Sequence, residues 1–230
     1  MESASESICA PNTATAKTYA VKELYYTLQG EGAHTGRAAV FLRFAGCNLW
    51  SGREEDRSTA TCQFCDTDFI GTDGPNGGKF RSADDLANAV SAEWQSNTDS
   101  ITGTPCVVCT GGEPLLQLDE TLIVALQSEG FEVAIETNGT LPAPRRVNWI
   151  CCSPKAGADM VLQSGNELKL VYPQSGHGPE DFADLDFEHF FLQPMDGADT
   201  QRNIQLAIDY CQRNPLWRLS VQTHKLIGLR

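Results

Sequence analysis

Short apolar runs alternate with capped helical stretches along this chain, and that alternation limits its fold more than any other feature. Residues 21–26, 39–44, 105–110, 131–136, 149–152, 168–171, 190–193 and 219–222 have strand character. Helix signals are clear in three places. Ser82 is placed to cap 83–94, with Asp85 at the third helical position. Asp119 opens 120–129, and Gly130 stops it. Thr200 opens 201–214, with Pro215 just beyond. Strands separated by helices imply a mostly parallel sheet. A complete eightfold barrel takes about 250 residues, and the connections 153–167 and 172–189 have room for little helix. The expected fold is therefore α/β: a partial (β/α) barrel of about six mostly parallel strands, with about three clear helices. In such sheets the working residues sit at the C-terminal ends of strands.

The length suits one domain, placed at 18–230, after a Ser-, Ala- and Thr-rich segment at 1–17 that reads as a mobile tail or expression remnant. That segment lacks the basic start and apolar core of a secretory signal, and no stretch is apolar enough to span a membrane. A cytoplasmic protein is expected. The formal net charge of −13 argues against nucleic-acid binding, which needs a basic face. Nine cysteines, an odd number without secretory context, favour metal or redox use over a disulfide framework.

Three of those cysteines form a constellation. Arg43-Phe-Ala-Gly-Cys47 is followed by fourteen residues and then by Cys62-Gln-Phe-Cys65-Asp66-Thr67. Three thiolates can hold three irons of a four-iron cluster and leave the fourth open, the mark of a reactive site. A structural zinc site fits the spacing equally well. The Thr110-Gly-Gly-Glu-Pro114 turn shifts the balance toward iron–sulfur, because its glycines let a ligand approach the backbone. Glu113 suits either a ligand's ammonium or neighbouring backbone N–H groups. The residues between Cys47 and Cys62 include Arg53, Glu54, Glu55, Asp56 and Arg57, and read as a solvated excursion.

The three-cysteine loop with the GGEP turn resembles the radical S-adenosylmethionine superfamily, although the usual spacing there puts three residues between the first two cysteines. Further motifs narrow the likeness: Leu28-Gln-Gly-Glu31-Gly, Phe41-Leu-Arg-Phe-Ala-Gly-Cys47, Cys65-Asp-Thr67, Glu136-Thr-Asn-Gly139, Ser153-Pro-Lys155 and Gln222-Thr-His-Lys225. Together they resemble the 7-carboxy-7-deazaguanine synthase family over nearly the whole chain from about Tyr19. The resemblance implies radical ring contraction of 6-carboxy-5,6,7,8-tetrahydropterin to 7-carboxy-7-deazaguanine, with loss of ammonia and regeneration of S-adenosylmethionine. It implies a 4Fe–4S cluster on Cys47, Cys62 and Cys65 and a Mg²⁺ ion on Thr67. It also implies a one-electron reductant such as flavodoxin, and a homodimer.

By the same resemblance Phe64, Cys65, Asp66, Gly112, Glu113, Ser153, Pro154 and Lys155 meet S-adenosylmethionine. For the substrate, Arg43 can grip a carboxylate bidentately, or serve in an ion pair. Glu31 and Glu136, with backbone groups of Leu28, Gln29 and Gly30, can accept the pterin's N–H groups. Thr110, Gln193 and His224 complete the expected substrate set, and no protein acid or base is assigned. Two other readings remain: an activase of a glycyl-radical partner, and a zinc-stabilised binding module. Cys106, Cys109, Cys151 and Cys152 read as strand residues with alternating thiols, Cys211 as core-facing and Cys9 as part of the tail.

Overall fold

A computed structural model describes residues 17–99 and 103–229. Among them, nine strands form one sheet: β1 (Tyr19–Leu28), β2 (Ala38–Phe44), β3 (Gly78–Phe80), β4 (Cys106–Gly111), β5 (Glu132–Thr137), β6 (Trp149–Cys152), β7 (Ser164–Tyr172), β8 (Asp186–Pro194) and β9 (Trp217–Leu219). Their order is β3-β1-β2-β4-β5-β6-β7-β8-β9. From β2 to β9 every neighbour in that order is parallel, whereas β1 runs antiparallel to both β2 and β3. The sheet keeps two edges, as a partial barrel must. It has nine strands where about six were expected: eight fall at or beside the apolar runs named above, and the ninth, β3, is a three-residue strand with no apolar run of its own. The last strand is Trp217–Leu219 instead of 219–222: Trp217 is pulled into the core beside Phe190.

The helices are α1 (Ala83–Asn97), α2 (Glu120–Ser128), α3 (Thr200–Arg213) and a short α4 (Thr223–Ile227) that the sequence reading did not contain. Ser82 caps α1 by accepting from Asp85 N, and Asp119 caps α2 by accepting from Leu122 N. At α3 the cap position falls on Asp199, and Thr200 instead ties the preceding turn through Gly197 and Asp196. The connections 153–163 and 173–185 contain no α-helix, only a 3-10 turn at Pro179–Phe182.

Strand alternation sorts the side chains onto two faces. On the convex face Leu42, Val107, Val133 and Ile135 pack under Leu86 and Val90 of α1 and Leu122, Ile123 and Leu126 of α2. Farther along, Leu168, Leu170, Leu192 and Cys152 pack with Ala207 of α3. Each fully buried leucine or isoleucine contributes roughly 1.5–3 kcal/mol of transfer free energy. The concave face carries a small apolar layer, Ala39, Cys106, Val108 and Ala134 with Phe41 and Trp149. Cys106 and Cys109 accordingly lie on opposite faces, as expected. No helix among the described residues is long and apolar enough to cross a membrane. Residues 1–16, including Cys9, lie outside the described residues, whereas Lys17 is ion-paired to Asp119 at 2.9 Å.

Asp119 also accepts a 2.9 Å hydrogen bond from the Tyr19 hydroxyl, so one carboxylate fastens both α2 and β1. Asp119→Ala is expected to cost about 1–2 kcal/mol in urea unfolding. Ile123→Ala is expected to cost about 2–5 kcal/mol in the same measurement, because it opens a cavity under the sheet.

Candidate active site

Above the apolar layer, the concave face turns polar. Arg43 of β2 lies in register with Thr110 of β4, Glu136 of β5 with Cys151 of β6, and Cys151 with Glu167 of β7. One pleat further along β7 is Lys169, 3% exposed, whose Nζ lies 2.6 Å from Glu31 Oε2 and 2.8 Å from Glu136 Oε2. The other oxygen of each carboxylate accepts from an amide: Glu31 from Gln222 at 3.0 Å, Glu136 from Gln29 at 3.1 Å. Burial acts to lower the Lys169 ammonium, but Cys151, Glu136, Glu31 and Glu167 outweigh it and hold it well above its ordinary range. Burial likewise acts to raise the Glu31 carboxyl; attraction and hydrogen bonding to Lys169, with the Gln222 bond, overcome that and bring it down to about 2. Glu167 behaves oppositely, its carboxyl raised by burial while it accepts from Ala33 N.

Glu31 reaches this network by an unexpected route. Leu28 pairs with Ala38 at the start of β2, so the Leu28–Gly32 turn leaves the sheet at the end opposite the cysteine loop. It then crosses the concave face toward β7. Gly32 N donates to Ser220 Oγ, and Thr223 N donates to Gly30 O. A Cβ at Gly30 would come within 2.1 Å of His224 Nδ1, so only glycine lets the ring settle there. The motif is thus a floor inserted into the open barrel, and not a residue set at a strand's C-terminal end.

The three cysteines sit beyond β2. Cys62 is buried, and Cys47 and Cys65 are half-buried. Each of Cys47 and Cys62 is raised chiefly by burial, with Glu113 and Cys65 adding to the shift at Cys47, and Cys65 and Cys47 at Cys62. Thiolates here therefore need a positive metal centre to offset desolvation. No three His, Cys, Asp or Glu side chains among the described residues gather around a single-ion position. Three thiols carried by one loop are, by their chemistry, a donor set that fits an iron–sulfur cluster. The GGEP turn is pressed against this loop. Glu113 N donates to Gly46 O at 3.0 Å, and a Cβ on Gly112 would lie 2.2 Å from that same oxygen. Glu113 itself is fully buried and takes the backbone option: Oε1 accepts from Leu115 N and Thr137 Oγ1, Oε2 from Asn138 N.

The excursion expected at 48–61 is exposed in part but ordered, with a 3-10 turn at Glu54–Thr59. Trp50 is buried, and Asn48 bonds Thr140 and Asn138. The reading as merely solvated chain is corrected: Trp50 has a partner in Phe69, 5.6 Å away edge-on.

Two adjoining cavities open between these parts. The larger, about 490 Å³, is lined by Leu28, Gln29, Gly30, Arg43 and His224. The smaller, about 190 Å³, is lined by Cys62, Phe64, Cys65, Gly112, Ser153, Lys155 and Gln193. Glu31, Asp66, Thr67, Thr110 and Glu136 line both. Cys47, Glu113 and Pro154 stand behind these walls. Arg43 faces the larger cavity from a part-buried ion pair, Nε to Glu23 Oε1 at 2.8 Å, with Nη2 on the Tyr25 hydroxyl. Lys155 bonds Ser153 and lies 5.9 Å over the Phe64 ring. Its neighbour Pro154 is held by the buried Gln174.

Sequence reasoning missed Lys169, Gln222 and Lys225 as site residues. Lys225 pairs with Asp66 at 2.7 Å and with Asp196, bridging the mouth of the site. The alternation Glu167-Leu-Lys169-Leu was the available signal for Lys169. Lys169→Met leaves two carboxylates buried without their cation and is expected to cost about 3–5 kcal/mol at neutral pH. Glu31 is held below its ordinary 4.5, so its share is complete above that value and is lost as pH falls toward about 2. Urea unfolding of both proteins across that window should show the gap shrinking with acid. A gap that stays constant or grows would refute the linkage.

No family model matches the chain. It is 63% identical over 212 residues to the 7-carboxy-7-deazaguanine synthase of Caulobacter vibrioides, covering 92% of this chain and 99% of that one. The synthase of Bradyrhizobium diazoefficiens is 61% identical over 213 residues, covering 93% and 100%. The crystal structure of QueE from Escherichia coli matches with a TM-score of 0.66 at 29% identity, over 90% of this chain and 95% of that chain. With its motifs placed around one cavity pair and relatives of this identity matched along nearly their full length, the chain belongs to the 7-carboxy-7-deazaguanine synthase family.

Proposed function

We propose that this enzyme converts 6-carboxy-5,6,7,8-tetrahydropterin to 7-carboxy-7-deazaguanine with loss of ammonia, a ring contraction on the route to queuosine. The observation that carries this reading is the pair of cavities with different linings and one shared wall: thiols and a glycine turn on one side, Arg43 on the other, and the paired carboxylates Glu31 and Glu136 between them. Family membership separates the reading from a glycyl-radical activase and from a zinc-binding module.

Cys47, Cys62 and Cys65 hold a 4Fe–4S cluster in this proposal, and the small cavity beside them takes S-adenosylmethionine against Gly112, Ser153 and Lys155. When bound, that pair would supply reversible hydrogen-atom abstraction at C6 of the substrate. The protein's own task is to bind, orient and exclude water. Arg43 has five N–H donors, more than Glu23 and Tyr25 consume, and turns them to the substrate carboxylate. Glu31 and Glu136 keep a second lone pair on each oxygen for the pterin's N–H edge, while Lys169 pairs with both. His224, seated on Gly30, closes the far wall. Thr67 lies on the shared wall, where one oxygen donor suits Mg²⁺, an ion that takes its remaining ligands from substrate and water. Electrons come singly from a reductant such as flavodoxin, in the cytoplasm. The exposed Leu216, Leu226 and Ile227 near the last helix support assembly as a homodimer.

Anaerobic incubation of reconstituted protein with S-adenosylmethionine, Mg²⁺, a reductant and the carboxytetrahydropterin should yield carboxydeazaguanine by mass spectrometry. S-adenosylmethionine should not be consumed stoichiometrically. Accumulation of deoxyadenosine with intact pterin would remove the substrate assignment. Arg43→Lys should raise KM for the pterin by about 10- to 100-fold while leaving iron content unchanged. An unchanged KM would remove Arg43 from the substrate's contacts.

A further inference from the structure

The ordered segment between Cys47 and Cys62 has a centre, and it is Arg57. Its guanidinium lies 4.1 Å over the Trp50 ring, within cation–π range. Nη1 donates to the carbonyls of Gln63 and Cys65, at 2.9 and 3.0 Å. Nε lies 2.8 Å from both oxygens of Glu54, one turn back along the same 3-10 segment. Trp50 is anchored in turn, by donating to Arg53 O at 3.1 Å and by its edge-on contact with Phe69, which is 1% exposed. Cys62 N donates to Leu49 O, closing the base of the loop.

These contacts answer a problem set by the fourteen-residue spacing. A loop of that length has far more conformations than a tight three-residue turn, and a cluster site needs its sulfurs held in fixed directions. The two carbonyls that Arg57 grips flank Phe64, so they fix the turn that carries Cys62 and Cys65. An arginine side chain can meet a ring, a carboxylate and two carbonyls at once, because its donors lie in one rigid plane. We infer that Arg57 is a positioning residue for the cluster: it braces the Cys62–Cys65 turn from within the inserted segment, replacing the rigidity that short spacing would provide. The inference rests on the cluster reading given above. It adds a role for a residue that touches neither cluster nor substrate.

The test uses the full chain, loaded anaerobically with ferrous iron and sulfide. Wild type, Arg57→Ala, Arg57→Lys and Glu54→Gln are compared by iron and sulfide content, by the rate of iron loss to a ferrous chelator and by the electron paramagnetic resonance of the reduced protein. Circular dichroism of the metal-free proteins checks folding. Arg57→Ala should lose iron about tenfold faster than wild type, the factor equivalent to about 1.4 kcal/mol and within reach of two lost hydrogen bonds. Its resonance should broaden. Arg57→Lys should fall between them, since its shorter side chain stops short of the point from which Nη1 meets both carbonyls, and an ammonium does not stack as a plane on Trp50. Glu54→Gln keeps the carbonyl bonds and should resemble wild type. Equal iron retention and identical spectra for Arg57→Ala would overturn the inference while leaving the cluster in place. If Arg57→Ala does not fold, the Lys variant decides alone: wild-type retention and spectrum there overturn the inference. Wild type that takes up no iron would overturn the cluster reading and, with it, this one.

Discussion

One buried ammonium organises the centre of this protein. Lys169 holds Glu31, from the turn after β1, and Glu136, from β5, on two sides of the concave face. Removing any member exposes the others to a large desolvation cost, so β5, β7 and the turn are fixed together. The same arrangement holds the Glu31 carboxyl well below its ordinary range in a place whose burial acts to raise it. Stability and the charge on Glu31 therefore depend on the same contact. Glu167, close by and raised by burial, shows what happens to a carboxyl in this interior whose attraction to Lys169 is too weak to offset its desolvation.

A second dependency runs along the other rim. Because β2 and β4 are parallel neighbours, the loops that follow them emerge side by side. The bond from Glu113 N to Gly46 O, with Gly112 closing on the same carbonyl, presses the glycine turn onto the cysteine loop. Glu113 then spends both oxygens on β5's exit at Thr137 and Asn138 and on its own turn. A carboxylate that a motif suggests for ligand contact here sets the spacing between three loops.

Much of this was legible in the residues. The caps at Ser82 and Asp119, the parallel order and the opposed thiols of Cys106 and Cys109 follow from local chemistry and period-two alternation. Lys169 was not, because charged residues alternating with leucine look the same whether they face water or a barrel interior. Only the register with Glu136 and the crossing turn shows which side is inside. The three-residue β3 carries no signal beyond glycine and one aromatic residue. Arg57 was hidden by its company: four other charged residues within five positions read as a solvated run, and nothing local shows that one of them faces Trp50.

The floor of the larger cavity joins distant stretches of chain. Gly30 accepts from Thr223 and lies under His224, Glu31 accepts from Gln222, and Gly32 donates to Ser220. Nearly the entire sheet is synthesised between those two stretches. A ribosome-bound chain can therefore stack its parallel strands and wrap its cysteine loop while the larger cavity still lacks a base. The floor closes only when residues 220–224 arrive, so a product terminated before them keeps the cysteine loop without the base of the larger cavity.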